Sequence, residues 1–82
     1  MKVFLTKKAE KELDKLPDTL ARMLVNNLKD LALNPFPPNS KKLTGQNNYR
    51  LRVGSYRAIY GVDRARKEVT VLRVAHRRTI YR

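Results

Sequence analysis

Apolar positions recur along this chain with two different periods, and the change of period divides it in half. Val3 to Leu5 is a short strand-forming run, after which Thr6 offers a hydroxyl N-cap to a segment with Ala9, Leu13 and Leu16 at helical spacing. Pro17 interrupts that helix. A second helix is expected to begin at Pro17 or Asp18, with Leu20, Leu24, Leu28 and Leu31 in one apolar stripe and Asn34 and Pro35 as its end. Pro35 to Asn48 holds three prolines and a glycine and reads as a loop. Beyond it Tyr49 to Val53, Tyr56 to Val62 and Glu68 to Val74 predict three successive antiparallel strands, with DRARK joining the last two. The expected architecture is α+β, in one domain spanning residues 1–82. An N-terminal strand and a two-helix hairpin pack on a mainly antiparallel four-stranded sheet in the order β-α-α-β-β-β. Leu51, Val53, Ala58 and Tyr60 should face the helices. Tyr49 and Tyr56 alternate onto that same side, so these three tyrosines are expected to send at most their hydroxyls to solvent.

The other side of the sheet carries a conflict. A two-residue Gly54-Ser55 turn sets Val53 opposite Tyr56 and Arg52 opposite Arg57, with Arg50 on the same face. Like charges placed directly opposite cost roughly 1–3 kcal/mol at a protein surface, less if the side chains splay. No acidic residue occurs between Leu31 and Gly61, so a compensating carboxylate must come from elsewhere in the fold. A bound polyanion would remove the penalty. A plain solvated sheet face is the alternative, but such faces ordinarily mix charge signs.

Charge extends the picture. The net charge of +12 is shared unevenly over the 82 residues: 1–40 carry seven basic and five acidic side chains, 41–82 carry twelve and two. With a sequence pI near 10.6, this asymmetry suits a phosphate-rich partner bound in a salt-dependent way, although an acidic protein would be attracted equally. Cysteine is absent and histidine occurs once, which sets aside disulfides, thiolate chemistry and a structural zinc site; no cofactor or metal is expected. The N-terminal MKVFLTKKAE turns polar after Leu5, so neither a signal peptide nor a membrane span is expected, and a reducing cytoplasm fits.

His76 is the one side chain suited to proton transfer near neutrality. A lone histidine is often an ordinary surface residue, but Arg77, Arg78 and Tyr81 place this one in a polyanion-ready setting and favour its neutral, base-competent form. Tyr81 lies past the last strand and is freer than the other tyrosines to meet a ligand. Lys41 and Lys42 read as a solvated loop entry or as added phosphate contacts, and Arg73, Arg78 and Arg82 extend the basic ending. Paired carboxylates and a glycine-rich phosphate loop are missing. RNA suits what remains, because its own 2′-hydroxyl can attack the adjacent phosphate while cations stabilise the charge that develops.

The order of elements, the segment KKLTGQNNYRLRVGSYRAIYGV and the ending RVAHRRTIYR resemble the RelE/ParE superfamily of toxins from toxin-antitoxin pairs, over essentially the whole chain. The RelE-like branch cleaves mRNA in the ribosomal A site, whereas ParE-like members act on DNA gyrase. Resemblance to the former implies catalytic positions at Arg50, Arg52, Arg57, Arg77 and Tyr81, with Arg57 stabilising the transition state. It implies cleavage by 2′-hydroxyl attack, leaving a cyclic phosphate and a free 5′-hydroxyl. It also implies two partners, an acidic cognate antitoxin and the ribosome. Arginines stand where lysines are typical of the second strand, and arginine is a poor general base, which leaves that role to His76 or Tyr81. A ParE-like gyrase inhibitor and a noncatalytic RNA- or antitoxin-binding relative are the competing readings.

Overall fold

The computed structural model describes residues 1–80. The chain runs β1 (Lys2–Leu5), α1 (Lys7–Asp14), α2 (Asp18–Asp30), β2 (Ser40–Lys42), β3 (Asn48–Val53), β4 (Tyr56–Asp63) and β5 (Glu68–His76). The strands form one sheet in the order β1-β5-β4-β3-β2, antiparallel except where β1 runs parallel to β5. Both helices lie on one face. There Ala9, Leu13, Leu24, Leu28 and Leu31 meet Leu51, Val53, Ala58, Tyr60, Val69, Val71 and Val74. Each large apolar side chain fully buried there contributes about 1.5–3 kcal/mol, which is what holds two short helices to the sheet.

Thr6 is the N-cap of α1, its hydroxyl accepting the Ala9 N–H at 3.2 Å and donating to the Leu72 carbonyl at 3.0 Å. One side chain thereby starts the helix and ties it to β5. Pro17 occupies the N-cap position of α2, which ends at Asp30 and not at Asn34. The next residues tighten into i to i−3 bonds, Leu31 to Leu28, Ala32 to Lys29 and Leu33 to Asp30, before Pro35 turns the chain away.

Two features depart from the expected pattern. Ser40–Lys42 lies inside the segment read as loop, yet it pairs with β3 as a fifth strand. A polar triplet has little strand propensity of its own, and the exposed edge of β3 recruits it. The second feature is a bulge in β5. Ile59 pairs with Arg73 but Tyr60 pairs with Val71, which leaves Leu72 as an extra residue. It shifts the alternation of β5, so Val69, Val71, Val74 and His76 all share the helix-covered side. The strand also continues beyond Val74 to His76. Among the described residues no helix is long and apolar enough to cross a membrane.

Candidate functional site: a cationic sheet face and its turn

Pairing register assigns every strand residue to a face. On the side away from the helices, Lys41, Arg50, Ile59 and Arg73 form one cross-strand row and Arg52, Arg57 and Ala75 the next. Arg52 stands directly opposite Arg57, as the hairpin pattern requires. Gly54 has φ +59° while Ser55 is not in the positive-φ region, which fits a type II′ turn with glycine first. The carboxylates nearest along β4 and β5 are Asp63 and Glu68, themselves a cross-strand pair. Asp63 lies six residues beyond Arg57, about 20 Å along an extended strand, too far to neutralise it.

The turn relieves part of the like-charge conflict. Arg57 folds back and donates from Nη1 to the Gly54 carbonyl at 3.0 Å and the Tyr56 carbonyl at 2.9 Å. The guanidinium is thereby oriented by backbone and half-buried, while Arg52 is exposed. The Arg77 N–H donates to the Ser55 carbonyl at 2.9 Å, so the chain leaving β5 is stitched to the same turn. Arg57 and the backbone of Arg77 thus lie at the same end of the sheet, with Arg52 opposite Arg57.

His76 reaches that end from the opposite face. It pairs with Tyr56, and the two rings meet edge to face with centroids 5.5 Å apart. Its Nδ1 accepts the Arg78 N–H at 3.2 Å, which leaves the ring proton of the neutral form on Nε2. Its carbonyl accepts N–H bonds from Thr79 and Ile80, coiling the chain back after β5 and leaving Arg77 and Arg78 exposed. The proposed site residues Tyr81 and Arg82 lie outside the described residues.

Arg73 has a different environment from the other cations. Its Nη2 lies 3.1 Å from Glu12 Oε2 in an ion pair, and its Nη1 donates to the Ile80 carbonyl at 3.1 Å. Glu12 Oε1 accepts the Val74 N–H at 2.9 Å. Arg73 therefore ties α1, β5 and the C-terminal turn together, a role the strand pattern did not announce. The only signal for Glu12 is its place on the edge of the Ala9, Leu13, Leu16 stripe. Ile59 and Ile80, both buried outside the main core, adjoin this arginine.

Lys41 and Lys42 are exposed on the edge strand and face opposite sides, Lys41 opposite Arg50 and Lys42 opposite Tyr49. Tyr49 and Tyr56 are partly buried against the core, and Tyr60 is fully buried. Tyr60 is a core residue as expected, and its hydroxyl is not offered to solvent: it donates to the Pro35 carbonyl at 2.6 Å. Burial raises its pKa above the usual 10.0, opposed by a hydrogen bond with Ser40. Among the described residues no group of three His, Cys, Asp or Glu side chains is placed to hold a metal ion.

The profile of the family described as the ParE toxin of the type II toxin-antitoxin system parDE matches residues 3–81. None of the curated proteins matches the chain in sequence. Among solved structures, the toxin-antitoxin complex RelBE2 from Mycobacterium tuberculosis contains a chain 31% identical, with a TM-score of 0.83 over 92% of this chain and 95% of that one. A chain of the archaeal RelE-RelB complex from Pyrococcus horikoshii is 30% identical, with a TM-score of 0.83 over 93% of each. A chain of the ParDE system from P. aeruginosa shares the fold at 19% identity, with a TM-score of 0.78 over 93% of this chain and 95% of that one. The chain therefore belongs to the RelE/ParE superfamily of toxins from type II toxin-antitoxin systems.

Proposed function

We propose that this toxin is a ribosome-dependent mRNA endonuclease. The observation that carries the reading is Arg57, anchored by two backbone carbonyls at the Gly54-Ser55 turn, directly opposite Arg52 and on the same face as Arg50 and Lys41. A cation held by the backbone is preorganised for charge that develops on a phosphate, and such donors are worth roughly a hundred- to a thousandfold in rate. In the proposed reaction the 2′-hydroxyl attacks the adjacent phosphorus and the bond to the 5′-oxygen breaks. A 2′,3′-cyclic phosphate and a free 5′-hydroxyl result. Arg50 and Arg52 hold the phosphate, Arg57 stabilises the transition state, and Arg77 adds a cation beside the turn. The 2′ proton leaves to a base and the 5′-oxygen gains one; Tyr81 is one candidate for these exchanges, and His76, which projects to the side of Tyr56, can serve only where the RNA rounds the end of the sheet beside the turn. An acidic antitoxin would silence the toxin by covering the same face.

The test is end-mapping of mRNA on programmed ribosomes with the purified toxin. Wild type should cut and Arg57→Ala should lose at least a hundredfold. Normal cleavage by His76→Ala would shift proton transfer to Tyr81. Uncut mRNA with wild type would sink the nuclease reading.

A gyrase-directed toxin is the second reading, favoured by the parDE description of the matching family. Inhibition of gyrase supercoiling by a toxin that leaves mRNA intact would select it.

A further inference from the structure

At the end of the sheet away from the Gly54-Ser55 turn, on the side opposite the arginines, three aromatic rings pack one against the next towards solvent, Tyr60 and Tyr49 stacked and Phe36 tilted against Tyr49. Tyr60 is buried beneath Tyr49, with centroids 5.6 Å apart and ring planes 24° apart; Tyr49 meets Phe36 at 5.0 Å; and the Arg64 guanidinium lies 5.0 Å from the Phe36 centroid. Phe36 remains 37% exposed. Lys42 stands opposite Tyr49 in the pairing, and beside it residues 42–47 line an open groove of about 480 Å³. Asp63, the carboxylate next to Arg64 in sequence, accepts the Arg66 N–H at 3.0 Å and lies 4.0 Å from the Arg66 side chain, so it is directed away from Arg64. The result is aromatic surface bordered by cations, the combination that binds unpaired bases and their phosphates.

β2 connects this platform to the arginine face. It is the edge strand, and its neighbouring residues Lys41 and Lys42 point to opposite sides of the sheet, the first in the row of Arg50 and the second in the row of Tyr49. A flexible polyanion rounding that edge would pass from Lys41 in the arginine row to Lys42 beside Tyr49 within a single residue step of the strand. We infer that Phe36, Tyr49, Arg64 and Lys42 form an extension subsite for single-stranded RNA, gripping nucleotides beyond the one held on the arginine face. The inference rests on the RNA reading above and adds to it a second contact on the other side of the sheet.

The test uses 2′-O-methyl oligouridylates of about four and about twelve nucleotides, which cannot undergo 2′ attack, with affinity read by fluorescence anisotropy. Phe36→Leu keeps an apolar contact with Tyr49 while removing the ring, and Arg64→Ser removes the guanidinium over Phe36 from an exposed turn; unchanged melting confirms that both fold. Each should weaken the longer oligomer at least fivefold and leave the shorter one within twofold. An inorganic polyphosphate competitor should be insensitive to Phe36→Leu, since it offers nothing to stack. Equal affinity of wild type and both variants for the longer oligomer overturns the subsite, as does an equal loss for polyphosphate. Strong binding of the short oligomer with no gain from length would remove the subsite and leave the arginine face standing. If wild type binds neither oligomer, the subsite is overturned, while the nuclease reading is decided separately by cleavage on programmed ribosomes.

Discussion

Glu12 Oε2 lies 3.1 Å from Arg73 Nη2 while Oε1 of the same carboxylate accepts the Val74 N–H at 2.9 Å. β1 pairs with β5 only as far as Val71, so a side chain from α1 completes the edge where that strand stops. The pair is partly buried, at 18% and 26% side-chain exposure, and Arg73 Nε is already buried without a partner. Glu12→Ala would strip the ion pair and the strand N–H together, at a cost of about 2 kcal/mol. Glu12→Gln keeps an acceptor and should lose about half as much. Urea unfolding of the three proteins measures both, and identical midpoints would show that the strap contributes nothing.

Arg52 opposite Arg57 carries an opposing prediction. Arg52→Ser should raise stability by up to about 1 kcal/mol at low ionic strength, with a smaller gain in high salt where the repulsion is screened. RNA affinity should fall in the same variant. A stability loss at low salt would mean that the two guanidiniums do not oppose folding.

Gly54 should resist substitution for a backbone reason. Its φ is +59° and a Cβ built there would meet nothing within 4 Å, so Gly54→Ala pays only for conformation, about 1 kcal/mol. Because Arg57 is anchored on the Gly54 carbonyl, cleavage should fall further than stability does. Thermal unfolding alongside ribosome cleavage separates the two effects.

Tyr60 predicts a pH dependence. Its pKa is raised in the folded protein, chiefly by burial, so above pH 10 the unfolded chain releases this proton more readily than the folded one. Stability from this group is therefore whole below pH 10 and declines as pH rises from there through the folded value. Tyr60→Phe should lose the hydrogen bond to Pro35, about 1 kcal/mol, and should show a shallower decline between pH 9.5 and 11.5 in urea titrations. Parallel curves for the two proteins would contradict the shift.

Nitrogen-15 chemical shifts test the histidine geometry. Neutral His76 should show the Nε2–H tautomer, since Nδ1 accepts the Arg78 N–H. A dominant Nδ1–H form would mean that the turn after β5 is arranged differently.

Local patterns determined a great deal about this protein. Period-two runs and a two-residue turn with glycine set Arg52 against Arg57, Thr6 announced the first helix, and the leucine stripe announced the second. These are short-range rules, in which alternation or a cap needs only neighbouring residues. Tertiary structure decided what depends on a partner distant in sequence. Ser40–Lys42 became a strand because β3 presented an open edge, and Arg73 became a strap because Glu12 arrived from α1. Most consequential is the extra residue at Leu72. Unbroken alternation from Val69 and Val71 would turn His76 to the arginine face, whereas the bulge, whose carbonyl takes the Thr6 hydroxyl, turns it to the side of Tyr56. A register shift of one residue exchanges every later side chain between faces, and its location is chosen by contacts across the sheet and with the helix.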